Sequence, residues 1–329
     1  MDEYPLDVVV TRGPTIESRH RVHAAVVGWD DSLVGAARDG GMVTMWRSCA
    51  KFFQVLPFLS SGGFDELGWG EEELALACAS HGGEPEHLAV AQRMLDSMEL
   101  EEGDLACGAH EPLSARGAKL ARESGRPLSR LHNNCSGKHA AMLGRARTAG
   151  WPTKGYERAD HSVQRGCLAE VARWSDVQID DMPIGVDGCG VTVMALPLDR
   201  MARAYARWGR AVQAEEEHPA RIAAAVRHHP HMLGGTDRFD TILLEESSGA
   251  IIAKVGAEGV HSLTVPQAGL GIALKVEDGG LRAQHVAVLR LLQLLGVLPE
   301  ALSPRLAEWA SRPIRNTRGE IVGEIRSEL

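Results

Sequence analysis

Apolar and polar positions change their period twice along the chain. Near the start, "VVVTRG", "ESRHRVHAAVVGW" and "DSLVGAARDG" are rich in β-branched residues and are separated by turn residues, which predicts strands. Asp30-Asp31 marks a hairpin turn and Asp39-Gly40-Gly41 a second break. The period then becomes helical. "EELALACASHGG" reads as a helix closed by Gly82-Gly83, and "PEHLAVAQRMLDSMEL" carries apolar residues at helical spacing. "CSGKHAAMLGRARTAG" predicts another helix, with Asn133 and Asn134 as caps and Gly150-Trp151-Pro152 ending it. "HSVQRGCLAEVARWS" predicts one more. After about residue 185 strands return with "GVTVMALPL", "GAIIAKVGAEGV" and "GLGIALKVEDGGLRA". Helical "RMARAYARWGRAVQAEEE", "PARIAAAVRHH" and "LRAQHVAVLRLLQLLGVL" lie among them, and "EIVGEIRSEL" reads as a last strand.

The order strands, helices, then strands with helices predicts an α+β fold. A sheet lobe would be built from both chain ends, about 1–45 and 185–329. A helical lobe, about 46–184, would be inserted, the whole forming a single catalytic domain with a ligand cleft.

Composition narrows the function. The 329 residues carry a formal net charge of −9, which argues against nucleic acid or an anionic membrane surface as the main partner. No apolar run approaches the roughly 20 residues that cross a bilayer. "MDEYPLDVVV" lacks the cationic and apolar regions of a secretory signal, so a cytoplasmic location is expected. The six cysteines, at 49, 78, 107, 135, 167 and 189, contain no C-x-x-C and read as free thiols, some of them metal-bound.

Four stretches offer chemistry: Ser48-x-x-Lys51, Asn134-Cys135-Ser136-Gly137-Lys138-His139, Asp187-Gly188-Cys189-Gly190 and Lys254-Val255-Gly256. Singly each has an ordinary reading. Ser48 suits a helix N-cap, and Lys254 a lysine snorkelling from a strand end. Together, S-x-x-K opening a helix and K-x-G ending a core strand are two of the three marks of serine β-lactamases and penicillin-binding proteins. A serine hydroxyl needs a base, and a lysine serves when burial and a second cation disfavour its charge. Lys51 lies one turn from Ser48, and Lys254 would be the second cation. The third mark, S-x-N, is absent; by context its counterpart is Cys135-Ser136-Gly137.

"RSCAKFFQVLP", "NNCSGKHAAML", "DGCGV" and "KVGAEGV" closely resemble the L-asparaginase II domain family, the rhizobial-type or class 3 L-asparaginases. The resemblance runs over nearly the whole chain and implies the serine β-lactamase-like fold. It implies Ser48 and Lys51 as nucleophile and base, and Ser80 and Lys254 as a second Ser–Lys pair. It implies zinc held by Cys135, Lys138 and Cys189, with Asp187 and His139 beside it. From the residues alone His139 would be the more usual ligand than Lys138, and Ser80 would be an ordinary helix end.

The activity so implied is hydrolysis of L-asparagine to L-aspartate and ammonia through a Ser–Lys acyl-enzyme, by a homodimer. Arg47 and Asp187 are candidates for holding the substrate's charged groups, with His139 in the same matched motifs. Phe52 and Thr192 stand where relatives tend to have proline and bear on the pocket wall. Two alternatives remain at this stage: another serine amidohydrolase of the same fold (a glutaminase, or a β-lactam or peptide hydrolase), or a non-catalytic zinc-binding regulatory protein.

Overall fold

The computed structural model describes residues 2–328. It divides into two compact units, one formed by residues 1–49, 196–210 and 246–329, the other by 50–195 and 211–245.

The first unit carries the sheets. β-Branched and small apolar residues in the N-terminal and C-terminal runs build a six-stranded sheet in the order Asp2–Glu3, Leu33–Ala37, Val22–Gly28, Leu270–Val276, Val260–Val265, Ile252–Val255. Its central pairs are antiparallel, and Ala25 faces Ala273 while Lys254 faces Ser262. Asp31 turns the Val22–Gly28/Leu33–Ala37 hairpin at a φ of 64°. A four-stranded antiparallel sheet joins Ser311–Arg315, Ile321–Ser327, Val8–Arg12 and Thr15–His20, so both chain ends meet in it. The central strands of the six-stranded sheet are buried because their side chains are apolar on both faces: Val26, Ala25, Ile272 and Leu274 are all inaccessible. The helix Leu198–Gln213 comes very close to the sheet at Gly271, where a Cβ would lie 2.1 Å from the Ala206 nitrogen. Only glycine admits that approach.

The second unit is mainly helical. Lys51–Ser60 is buried from Lys51 to Leu59, as expected of a helix that is apolar nearly all round. Ser136–Thr148 is buried over its first nine residues. It meets Glu71–Ala77 at Gly137, whose added Cβ would lie 2.4 Å from the Leu76 carbonyl oxygen. Phe58, Phe64 and Trp69 pack edge to face with centroids 5.5–5.7 Å apart, a geometry that favours aromatic quadrupoles.

The mixed α+β architecture matches the expected β-lactamase and penicillin-binding-protein type of fold. One helix ends earlier than its pattern predicts. Glu71–Ala77 stops at Cys78, not at Gly82-Gly83. The backbone of the next residues bonds elsewhere: Ser80 N–H donates to the Leu233 carbonyl at 3.1 Å and His81 N–H to that of Asn134 at 3.2 Å. Those bonds draw the backbone of residues 80 and 81 away from the helix into an irregular segment.

Candidate active site

In the helical unit the site begins at Lys51, the first residue of the helix Lys51–Ser60 and only 1% exposed. Its ammonium donates to three acceptors: the Ala79 carbonyl, Ser80 Oγ at 3.1 Å and Cys135 Sγ at 3.2 Å. An ammonium has three protons, so this set satisfies it completely. Ser80, 3% exposed, sits in the irregular segment just described.

Cys135 stands at the start of Ser136–Thr148, and the preceding asparagines explain why. Asn133 Oδ1 accepts the Cys135 N–H at 2.9 Å, and Asn133 Nδ2 donates to the Gly108 carbonyl. Lys138, one turn later and 4% exposed, donates to Cys189 Sγ at 3.1 Å. Cys189 comes from a tight turn in which Gly190 takes a φ of +90° and donates its N–H to the Asp187 carbonyl. Asp187 Oδ2 is 3.7 Å from Cys189 Sγ.

These groups share charge. A hydrogen bond from the Cys135 thiol, aided by the Lys138 cation and opposed by burial, draws the Cys189 thiol down to about 5. Holding that proton, together with burial, pushes Cys135 up to about 12. Burial disfavours the Lys138 ammonium, but the two sulfurs and Asp187 outweigh it and raise its pKa. At neutral pH the trio is thus one thiolate, one thiol and one ammonium. His139 is inaccessible, and burial, then Lys138, lower it to about 3, so it is neutral. Tyr156 Oη accepts the Ala106 N–H at 2.8 Å and lies 2.6 Å from His139 Nδ1.

In the sheet unit, Ser48 lies in the 3₁₀ turn Arg47–Ala50, half-buried. Arg47 just before it holds a φ of 54°, a strained value for a side-chain-bearing residue. The turn is well anchored. Trp46 Nε1 donates to Ser262 Oγ at 3.1 Å, Tyr205 Oη to the Cys49 carbonyl at 2.8 Å, and Cys49 Sγ to the Lys254 carbonyl at 3.0 Å. Lys254 is inaccessible, and its Nζ donates to the Val255 carbonyl at 3.0 Å. Gly256 of the K-x-G run gives Cys49 room: an added Cβ would lie 3.0 Å from its sulfur.

The profile of the L-asparaginase II family matches residues 8–327. The chain belongs to that family. No functionally curated protein matches it. A solved structure described as "putative beta-lactamase from Bacteroides dorei DSM 17855" is similar at 11% identity, covering 83% of this chain and 94% of that one with a TM-score of 0.41.

In this L-asparaginase II chain, the family's expected residues fall into two groups. Lys51, Ser80, Cys135, Lys138, His139, Asp187 and Cys189 belong to the helical unit, and Arg47, Ser48 and Lys254 to the sheet unit. Glu84, Glu86 and His231 also bring three metal-capable donor atoms within 4.8 Å of one another, and a metal ion could be held there. The Arg116 guanidinium already binds both of those carboxylates. Glu84 was invisible to sequence reading, since an acid before a helix proline is ordinary. The available signal was "SHGGEPEH": two glycines followed by two acids, the whole flanked by two histidines. Among the described residues no helix is long and apolar enough to cross a membrane.

Proposed function

We propose that this family member is an L-asparaginase that works through a Ser–Lys acyl-enzyme. The observation that carries the reading is the buried Lys51 ammonium bonded to Ser80 Oγ and Cys135 Sγ, in a chain whose sequence has Ser48 three residues before it. Neutral Lys51 takes the proton of Ser48. The Ser48 oxygen attacks the side-chain amide carbon of L-asparagine. The tetrahedral intermediate collapses, ammonia leaves with the proton returned by Lys51, and a Ser48 ester remains. Water then cleaves the ester and releases L-aspartate. Ser80 relays protons to and from Lys51, and Lys254 supplies the second positive charge that disfavours a charged base. The strain at Arg47 supports a role for its neighbour, since such strain collects at working positions.

Zinc suits Cys135, Lys138 and Cys189. Two thiolates and an amine make three legs of a tetrahedron and leave one position open. The 3.1 Å contact between Lys138 Nζ and Cys189 Sγ already brings two of the three donors together. The ion would supply a positive charge for orienting the substrate's polar groups. Arg47 and Asp187 would hold the α-carboxylate and α-amino group. In this reading the protein works in the cytoplasm and is a homodimer, the latter as the family resemblance suggests.

Ammonia release from L-asparagine, with L-glutamine assayed alongside, tests the reading. Turnover of L-asparagine supports it. Preference for glutamine moves the substrate, and release from neither amide removes the enzyme reading.

A further inference from the structure

Residues 80–84 and 233–236 are tied to each other at both ends. At one end the Ser80 N–H donates to the Leu233 carbonyl at 3.1 Å. At the other the Thr236 N–H donates to Glu84 Oε1 at 2.8 Å, and Thr236 Oγ1 donates to Glu84 Oε2 at 2.9 Å. A third tie runs from His87. Its Nδ1 accepts the Glu84 N–H at 3.1 Å, so its proton is on Nε2 and is donated to the His231 carbonyl at 2.9 Å. The backbone is shaped for this clamp. Gly235 takes a φ of +114°, and an added Cβ would lie 2.8 Å from Glu84 Oε1 and 3.1 Å from His87 Cε1. Glu84 is completely inaccessible, yet it is fully bonded, since Arg116 holds Oε2 as well. Burial alone would raise its pKa, but bonds from Arg116, Ser114 and Thr236 hold it below the ordinary value, so it is a carboxylate. A buried carboxylate is costly unless every lone pair is matched. This one joins two segments that make no strand pairing.

The far end of the same short segment is Ser80, whose Oγ accepts from Lys51. Three residues separate Ser80 from Glu84, and His81 between them is fixed too. Its Nδ1 accepts the Gly83 N–H at 3.1 Å, so Nε2–H donates to Ser136 Oγ at 2.9 Å. Little freedom remains for Ser80 except through movement of the clamp.

We propose that Glu84 is a positioning residue for the Ser80–Lys51 pair: its carboxylate locks residues 233–236 onto residues 80–84 and so holds Ser80 Oγ within hydrogen-bond reach of Lys51 Nζ. The inference rests on the proposed Ser–Lys amidase reading. Glu84 touches no substrate. Its effect therefore falls on turnover and not on substrate affinity, and it vanishes when Ser80 is gone.

The test is steady-state L-asparagine hydrolysis by the full chain as wild type, Glu84→Gln, Glu84→Asp, Ser80→Ala and the double variant Ser80→Ala/Glu84→Gln. Glutamine keeps an acceptor for Thr236 but loses the charge that holds Arg116. The expected result is a kcat about tenfold or more lower in Glu84→Gln with KM within about twofold, and partial recovery in Glu84→Asp. In the Ser80→Ala background Glu84→Gln should lower kcat no further. Thr236→Val, which cuts the hydroxyl tie without touching the buried carboxylate, should lower kcat in the same direction. It replaces Glu84→Gln throughout if that variant fails to fold. Wild-type kcat in the folded variants, or an equal loss with and without Ser80, overturns the proposal while leaving the amidase reading intact. Wild-type activity of Ser80→Ala overturns the proposal and the relay role given to Ser80, whereas absence of hydrolysis by the wild type overturns the amidase reading itself.

Discussion

Lys51 Nζ lies 3.1 Å from Ser80 Oγ, and the same nitrogen lies 3.2 Å from Cys135 Sγ. One buried ammonium thus bonds a hydroxyl of one loop and a sulfur of the proposed metal set. In the proposed mechanism it would couple proton transfer to metal binding, and removing it should be felt by both. Lys51→Met keeps the stem's apolar packing but removes the donor from which the Ala79 carbonyl and Cys135 Sγ accept. Loss of the base should lower kcat by about 10²–10⁴-fold, with unfolding free energy reduced by roughly 1–3 kcal/mol for the orphaned groups. Kinetics and chemical denaturation of the purified variant check both numbers.

The metal set predicts a proton count. At neutral pH Cys189 is already a thiolate, whereas Cys135 and Lys138 still hold protons. Zinc must displace those, so binding should release about two protons per ion and weaken as pH falls. Calorimetry in buffers of different ionisation enthalpy reads the count. Cys135→Ala and Cys189→Ala should each lose the ion, and chelation should raise KM more than it lowers kcat. Full zinc occupancy in the double cysteine variant would refute the ligand assignment.

Acid stability should depend on the histidine stack His81–His87–His231, whose neighbouring ring centroids are 4.9 and 4.8 Å apart. Burial, opposed by the bond to the His231 carbonyl, lowers His87 to about 4, against about 6.5 for an unfolded histidine. The unfolded chain therefore takes up a proton first. The contribution is fully present above about pH 6.5 and is lost as pH falls from there towards 4, a span worth roughly 3 kcal/mol. Urea midpoints measured between pH 7.5 and 4.5 should fall for the wild type and fall less steeply for His87→Gln. Parallel curves would contradict this.

Packing at Gly137 gives a prediction independent of chemistry. A Cβ there meets the Leu76 backbone 2.4 Å away, and backbone cannot swing aside. Gly137→Ala should lower the unfolding free energy by roughly 1–3 kcal/mol, visible as a lower thermal midpoint. An unchanged midpoint would show that the two helices separate more easily than the geometry allows.

Much of the architecture could be read from periodicity. The run "SGKHAAMLGRART" is the helix Ser136–Thr148, and "HSVQRGCLAEVARWS" contains Ser162–Ser175, because their apolar residues have no other way to be buried. The helix before Ser80 was overextended, since local pattern carries no sign that Leu233 and Asn134 would claim the backbone of residues 80 and 81. For the same reason Ser80 looked like a helix end. Lys138 was named only through family resemblance: spacing cannot tell which of two adjacent side chains turns towards a sulfur, and His139 turned to Tyr156 instead. Glu84 escaped altogether, because its meaning lies in Thr236, 152 residues away.

The central claim is that Ser48 attacks the amide of L-asparagine. Ammonia release by wild type and by a folded Ser48→Ala variant, with L-asparagine saturating, tests it most directly. Steady release by the wild type is expected, with a rate lower by several orders of magnitude in the variant, on the scale of roughly 10⁶ seen for a serine hydrolase nucleophile. Near-wild-type release by Ser48→Ala would contradict it.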